Sequence, residues 1–353
     1  MIFLFSCLCV SRFALLVCGS RSWENYRQQS NIYGLYQRLL KRGYQNNEIW
    51  VVSFDDAVYH PLNPYPGKMF INQEHENVYP GLNRMKFRGD GINADSLINF
   101  MLTIPTTKDD EILIYITAHG GPHFISAPSG GRALFSNEIA EVFSSLSSRG
   151  AFKKCIFVVE SCNSGSIGES IKAPNVLVIT SSSPTQVSYS DITDPILGIP
   201  IADQLSSSFY YLLNIINDMK VSDFVQNLRG LTRSSDISIY GDLSIMEMPM
   251  SRFFGNTGSN IEFQPVFDAD PQYSFQSINQ TQFDNILNKL IGCSGLEYIK
   301  GNYLESYKYI VDYLFKHGMI KTEEMYKLDK IFSICKNYSM NSIIRCIEKS
   351  DNL

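Results

Sequence analysis

Five short apolar runs constrain the fold of this chain more than any other feature: Phe13–Cys18, Ile49–Phe54, Ile112–Thr117, Cys155–Glu160 and Val176–Thr180. None shows the polar–apolar alternation of a strand with one wet face. They predict strands buried on both sides, as in a parallel sheet covered by helices. The segments between them read as those helices. Ser30–Arg42 carries Ile32, Leu35, Tyr36, Leu39 and Leu40 at helical spacing and stops at Gly43, a residue suited to a helix C-terminus. Asn93–Leu102, Asn137–Leu146 and Ile201–Ile216 repeat the pattern. Strand alternating with helix predicts a doubly wound α/β domain.

The pattern changes near residue 255. Residues 256–277 are loop-like, and from 278 to 353 only helical periodicity remains: Ile286, Leu287, Leu290 and Ile291, then Leu296, Ile299, Tyr303, Tyr307, Ile310, Val311 and Leu314. Met325, Leu328 and Phe332, then Ile343, Ile344 and Ile347, complete a small all-helical C-terminal unit. At the other end, residues 1–11 resemble the apolar core of a signal peptide without its basic flank, so the α/β body is expected over residues 12–255. Secretion would leave six of the eight cysteines. Cys18 and Cys155 lie in strands as small buried hydrophobes, while Cys293, Cys335 and Cys346 allow one disulfide in an oxidising compartment, its pairing open. A net charge of −5 gives no basic surface for nucleic acid, and no apolar run reaches the length needed to span a bilayer.

In a parallel sheet, reactive groups gather at the carboxyl ends of the strands. Ile112–Thr117 runs into Ala118-His119-Gly120-Gly121, and Cys155–Glu160 into Ser161-Cys162-Asn163-Ser164-Gly165. One helical crossover joins these strands, which makes them neighbours and brings imidazole and thiol to one edge. Such a pair suits nucleophilic catalysis, because histidine can take the proton of a thiol that is little ionised at neutral pH. Gly120 is read as a sharp turn after the histidine, and its N–H and that of Cys162 are candidates for an oxyanion hole. His60, His75, His119, His123 and Cys162 have no metal-ligand spacing, so no metal and no other cofactor is expected.

The motifs resemble those of the legumain family of cysteine endopeptidases. Ser20-Arg21-Ser22-Trp23-Glu24-Asn25-Tyr26-Arg27, Asp55-Asp56, Asn63-Pro64-Tyr65-Pro66-Gly67, Tyr79-Pro80-Gly81, Thr117-Ala118-His119-Gly120-Gly121 and Glu160-Ser161-Cys162-Asn163-Ser164-Gly165-Ser166 follow the family's order. The resemblance implies a caspase/legumain-like sheet with Cys162 as nucleophile, His119 as general acid/base and Asn25 as its orienting group. It also implies a specificity pocket of Arg27, Glu160 and Asp203, with Ser188 as a wall, that accepts protein or peptide substrates at Asn, and at Asp in acid. The helical tail would be the intramolecular inhibitor of a zymogen in a lysosome- or vacuole-like or extracellular setting, with Asn279, Asn285, Asn288 and Asn302 as self-cleavage candidates. Ala118, Gln28 and Asn163 depart from the family's Asp, His and Glu, and the tail has three cysteines rather than four. Two other readings remain: a glycosylphosphatidylinositol transamidase-like transfer enzyme, and a catalytically silent binding module of the same fold.

Overall fold

The computed structural model describes residues 12–191, 193–257, 282–293, 296–297, 302–320 and 322–348. The candidate leader 1–11, most of the linker and Asn279 lie outside them. In chain order the strands are β1 (Arg12–Cys18), β2 (Ile49–Ser53), β3 (Met85–Arg88), β4 (Glu111–Thr117), β5 (Gly120–Gly121), β6 (Phe124–Ile125), β7 (Leu134–Phe135), β8 (Lys154–Glu160), β9 (Val176–Thr180) and β10 (Ser238–Gly241). The helices of the body are α1 (Tyr26–Lys41), α2 (Ala94–Leu102), α3 (Ser136–Ser148), α4 (Gly165–Gly168), α5 (Gln204–Ile215), α6 (Val221–Leu231) and α7 (Ser251–Phe254).

Seven strands form one sheet in the order β10-β9-β8-β4-β1-β2-β3, parallel throughout except for the β10–β9 edge. The five apolar runs are its five inner strands. The two edge strands, β3 and β10, escape a search for apolar runs because they are short and half-exposed. Alternate residues of each inner strand serve opposite cores. Leu16, Tyr115, Val158 and Ile179 pack with α1, α5 and α6, while Leu15, Ile114, Phe157 and Val178 pack with α2 and α3. Apolar residues are needed on both faces, which is why the runs are unbroken.

Helix α1 begins at Tyr26, four residues before the apolar period becomes visible, because Gln28 and Gln29 in its first turn are polar yet buried. Its C-terminus is held by Arg42, a fully buried guanidinium that donates to the carbonyls of Leu213, Ile216, Asn217, Phe254 and Gly255 at 2.5–3.0 Å. Burial pulls its pKa down to about 10. Arg42→Met would leave these carbonyls desolvated without donors, so we expect urea unfolding to show a loss of about 3 kcal/mol or more. A loss below about 1 kcal/mol, the worth of one ordinary hydrogen bond, would contradict that account.

The tail consists of α8 (Gln282–Ile291), α9 (Tyr303–Lys316), a 3-10 segment Thr322–Leu328, α10 (Asp329–Cys335) and α11 (Met340–Glu348). Helix α9 starts later than the periodicity suggests: Leu296 precedes it, and Ile299 lies outside the described residues. Cys293 and Cys346 form the disulfide, leaving Cys335 a buried thiol pushed up to about 12 by burial. Leu290, Tyr307, Leu314, Ile331 and Ile343 share one core with Phe124 of β6 and Ala133 and Phe135 at β7. The tail thus sits on the three-stranded antiparallel sheet β5-β6-β7, which begins immediately after His119. Asn285 and Asn288 fall inside α8, so cleavage there would require that helix to unwind, whereas Asn302 directly precedes α9.

Candidate active site

Strands β4 and β8 pair in parallel with Thr117 opposite Glu160, and Ala118 N–H donates to Glu160 O at 3.1 Å. His119 and Cys162 each follow two residues later, just beyond the ends of neighbouring strands that lie about 4.8 Å apart. The chain leaves Cys162 through Asn163, whose φ of 55° is left-handed, a conformation asparagine tolerates better than most residues. Asn163 is buried, with N–H to Gln186 O at 2.8 Å and Nδ2 to Pro184 O at 3.0 Å, so it shapes the turn beneath the sulfur. Gly120 differs from expectation. It is extended in β5 rather than at a turn, and it is glycine because a Cβ there would collide with Ser161 Oγ and lie 3.0 Å from Cys162 O.

The half-buried His119 is oriented through Asn25. Asn25 Nδ2 donates to Arg21 O at 2.8 Å and Ser22 Oγ at 3.4 Å, so its Oδ1 is the acceptor 2.6 Å from His119 Nε2. The proton is therefore assigned to Nε2, leaving the Nδ1 lone pair as the base. Burial, assisted by the nearby Arg27 charge, pulls His119 down to about 3. The Cys162 sulfur lies against the backbone of Ser188, receiving its N–H at 3.4 Å with its carbonyl at 3.7 Å. Burial raises the thiol, while the Ser188 hydrogen bond and Arg27 act in the opposite direction. Both shifts favour the uncharged forms, a thiol and a neutral imidazole. Ser188, expected as a wall of the specificity pocket, meets the sulfur through its main chain.

The three expected pocket charges come together on the α1/α5 side of the sheet. Arg27 Nε donates to Asp203 Oδ1 at 2.8 Å, their side chains 16% and 9% exposed. Glu160 is sealed behind them. It accepts from Ser206 N–H at 3.0 Å, Tyr115 OH at 2.9 Å and the Ser206 hydroxyl. Burial, then the negative charge of Asp203, pushes Glu160 well above the usual carboxylate range. Asn31 connects the two acids, donating to Asp203 Oδ2 at 2.7 Å and approaching Glu160 Oε2 at 3.4 Å. Asn31, Ser206 and Tyr115 were not anticipated. Only Asn31 leaves a readable trace, as a polar residue one helical turn after Arg27. Among the described residues no cluster could hold a metal ion, and no helix is long and apolar enough to cross a membrane.

Comparison with known proteins adds a lineage. The Schistosoma mansoni hemoglobinase is 26% identical over 286 residues, 76% of this chain and 65% of that protein. A putative GPI-anchor transamidase of Drosophila melanogaster is 25% identical over 79% of this chain and 88% of its own. The vacuolar-processing enzyme beta-isozyme of Arabidopsis thaliana is 31% identical over 51% of this chain but only 39% of its own length. The chain thus spans less than two thirds of the hemoglobinase and of the plant enzyme. A caspase-1 structure from Spodoptera frugiperda overlaps 71% of the chain at a TM-score of 0.41 and 10% identity, too loosely to argue from. The profile of the peptidase C13 family matches residues 12–257, the whole body with both strand ends included, and the chain belongs to that family.

Proposed function

We propose that this chain is a thiol endopeptidase that cleaves after Asn, and after Asp in acid. The observation that carries the reading is the largely buried Arg27–Asp203 pair, near enough for the Arg27 charge to act on both Cys162 and His119, and backed by Asn31 and Glu160. Among the described residues Arg27 Nη2 has no partner, so it can donate to the carboxamide oxygen of a substrate Asn, while a carboxylate oxygen accepts from its NH2. Cys162 Sγ attacks the scissile carbonyl as its proton passes to His119 Nδ1. The oxyanion takes the N–H groups of Gly120 and Cys162, and the proton then goes to the departing amine. Water, deprotonated by the same Nδ1, splits the thioester.

Burial and the Asp203 charge disfavour a negative charge on Glu160, Arg27 and Asp203 offset each other, and the pocket suits an uncharged side chain. An ionised substrate Asp would face Asp203 at close range, whereas protonated Asp copies Asn. On peptides differing only at that residue, the Asp/Asn ratio of kcat/KM should therefore rise at least about tenfold from pH 7 to pH 4, as substrate Asp, with a pKa near 3.9, takes up its proton. A pH-independent ratio, or equal cleavage after Gln, would defeat the pocket assignment. Mass analysis of the products in the presence of an added amine separates hydrolysis from transfer, the rival suggested by the long match to the GPI-anchor transamidase. No turnover at any pH, before or after limited proteolysis of the linker, would leave the silent binding module.

The tail as an intramolecular restraint is part of the same reading. Support comes from its seat on the strand after His119, where the Phe332 ring lies 5.0 Å from His123 and Met325 backs Gly121. Greater turnover after proteolysis of the linker is the expected outcome. The Cys293–Cys346 disulfide fits a life in the secretory pathway, where oxidising conditions preserve it.

A further inference from the structure

The consecutive acids Asp55 and Asp56, at the end of β2, have no part in the chemistry above. Asp55 has a left-handed φ of 63° and turns into the body, accepting from Tyr33 OH at 2.8 Å and Tyr79 OH at 3.2 Å. That twist sends Asp56 the other way, toward the segment after β1. Its Oδ2 accepts the Ser22 N–H at 2.8 Å and its Oδ1 the Gln29 side-chain N–H at 2.6 Å, while Gln29 Oε1 accepts Ala57 N–H at 3.3 Å. Ser22 is itself left-handed, with a φ of 78°. A serine there is strained, and such a conformation persists only where its surroundings enforce it.

Ser22 in turn holds Asn25. Its carbonyl accepts the Asn25 N–H at 3.2 Å and its hydroxyl accepts from Asn25 Nδ2 at 3.4 Å, while Arg21 O takes the same Nδ2 at 2.8 Å. Asn25 Oδ1 then receives His119 Nε2 at 2.6 Å. A continuous chain of hydrogen bonds therefore runs from a carboxylate just after β2, through the strained turn after β1, to the imidazole after β4. We infer that Asp56 is a positioning residue for His119, acting through Ser22 and Asn25. It locks the turn that aims the Asn25 carboxamide, and so fixes which nitrogen of His119 is left as the base. A charged acceptor suits the task, because hydrogen bonds to a carboxylate are about twice as strong as those to a neutral oxygen.

The inference rests on the proposed chemistry for its kinetic test, but not for its spectroscopic one. Asp56→Ala should lower kcat on an Asn peptide ~10–100-fold with KM within about threefold, as expected when a catalytic group is misaimed rather than a pocket lost. Asp56→Asn, which keeps one acceptor but neither the charge nor the second acceptor, should recover only part of that loss. In an Asn25→Ala background the same Asp56 substitution should change kcat less than about threefold, because the path is already cut. In the substrate-free full chain, NMR of the histidine ring protons should place His119 Nε2–H far downfield, and Asp56→Ala should move it upfield. Losses that multiply across the double variant, or a His119 proton unmoved by Asp56→Ala, would overturn the inference. If Asp56→Ala does not fold, Asp56→Asn carries the cycle, with a smaller loss that must also vanish without Asn25. Absence of turnover in the wild-type chain would count against the peptidase reading, and the histidine proton would still decide the role of Asp56.

Discussion

Replacing Cys162 with Ala should lower kcat/KM on an Asn peptide by at least about 10⁴-fold, since among the described residues no other group is placed to take over the attack. The other free thiols among the described residues are ill placed for it. Cys18 is fully buried and pushed up to about 12 by burial, Cys155 is raised well above its ordinary value for the same reason, and Cys335 belongs to the tail core. The neighbouring hydroxyls are occupied: Ser161 donates to Cys162 O, Ser164 pairs with Ser182, and Ser166 donates to Asn163 O. The wild-type pH profile should match. With His119 held near 3, its imidazole stays an unprotonated base through the mildly acidic range, so the acid limb of kcat/KM should lie near pH 3 to 4 rather than at the ordinary histidine value of about 6.5. Residual turnover within tenfold of wild type in Cys162→Ala, measured by mass spectrometry of the products, would remove this residue from the mechanism.

Arg27→Met should reduce kcat/KM for Asn peptides about 10²–10³-fold, the second-largest effect expected. Methionine keeps much of the apolar stem but removes the proposed donor to a substrate carboxamide, and a polar pocket stripped of its partner discriminates strongly against its own substrate. It also leaves Asp203 without its cation, beside a Glu160 already raised by that same charge. The pocket then gains net negative character. Arg27→Lys should not rescue it, because the planar guanidinium donates to Asp203 and toward the substrate at once, which a single ammonium cannot reproduce. Asp203→Asn on the Arg27→Met background should recover part of the loss by removing the unpaired charge. Asn-peptide kinetics on the three variants settle the matter, and an Arg27→Met enzyme within threefold of wild type would show that Asn is recognised elsewhere.

The amino-acid sequence by itself determined the inner five strands, the alternation with helices, the helical tail, and the two strand ends that carry His119 and Cys162. These are legible because burial on both faces forces unbroken apolar runs, and because reactive residues followed by small ones at strand ends stand out against them. Edge strands β3 and β10, half wet and only a few residues long, carry no such mark. Tertiary structure alone decided the rest. It put the Ser188 backbone on the sulfur, Asn31 between two acids, Asp56 behind Asn25 and Cys346 rather than Cys335 on Cys293. Each of these joins groups distant in the chain by a directional contact. Periodicity records which face of an element is buried, but not which distant partner a buried polar group will meet there.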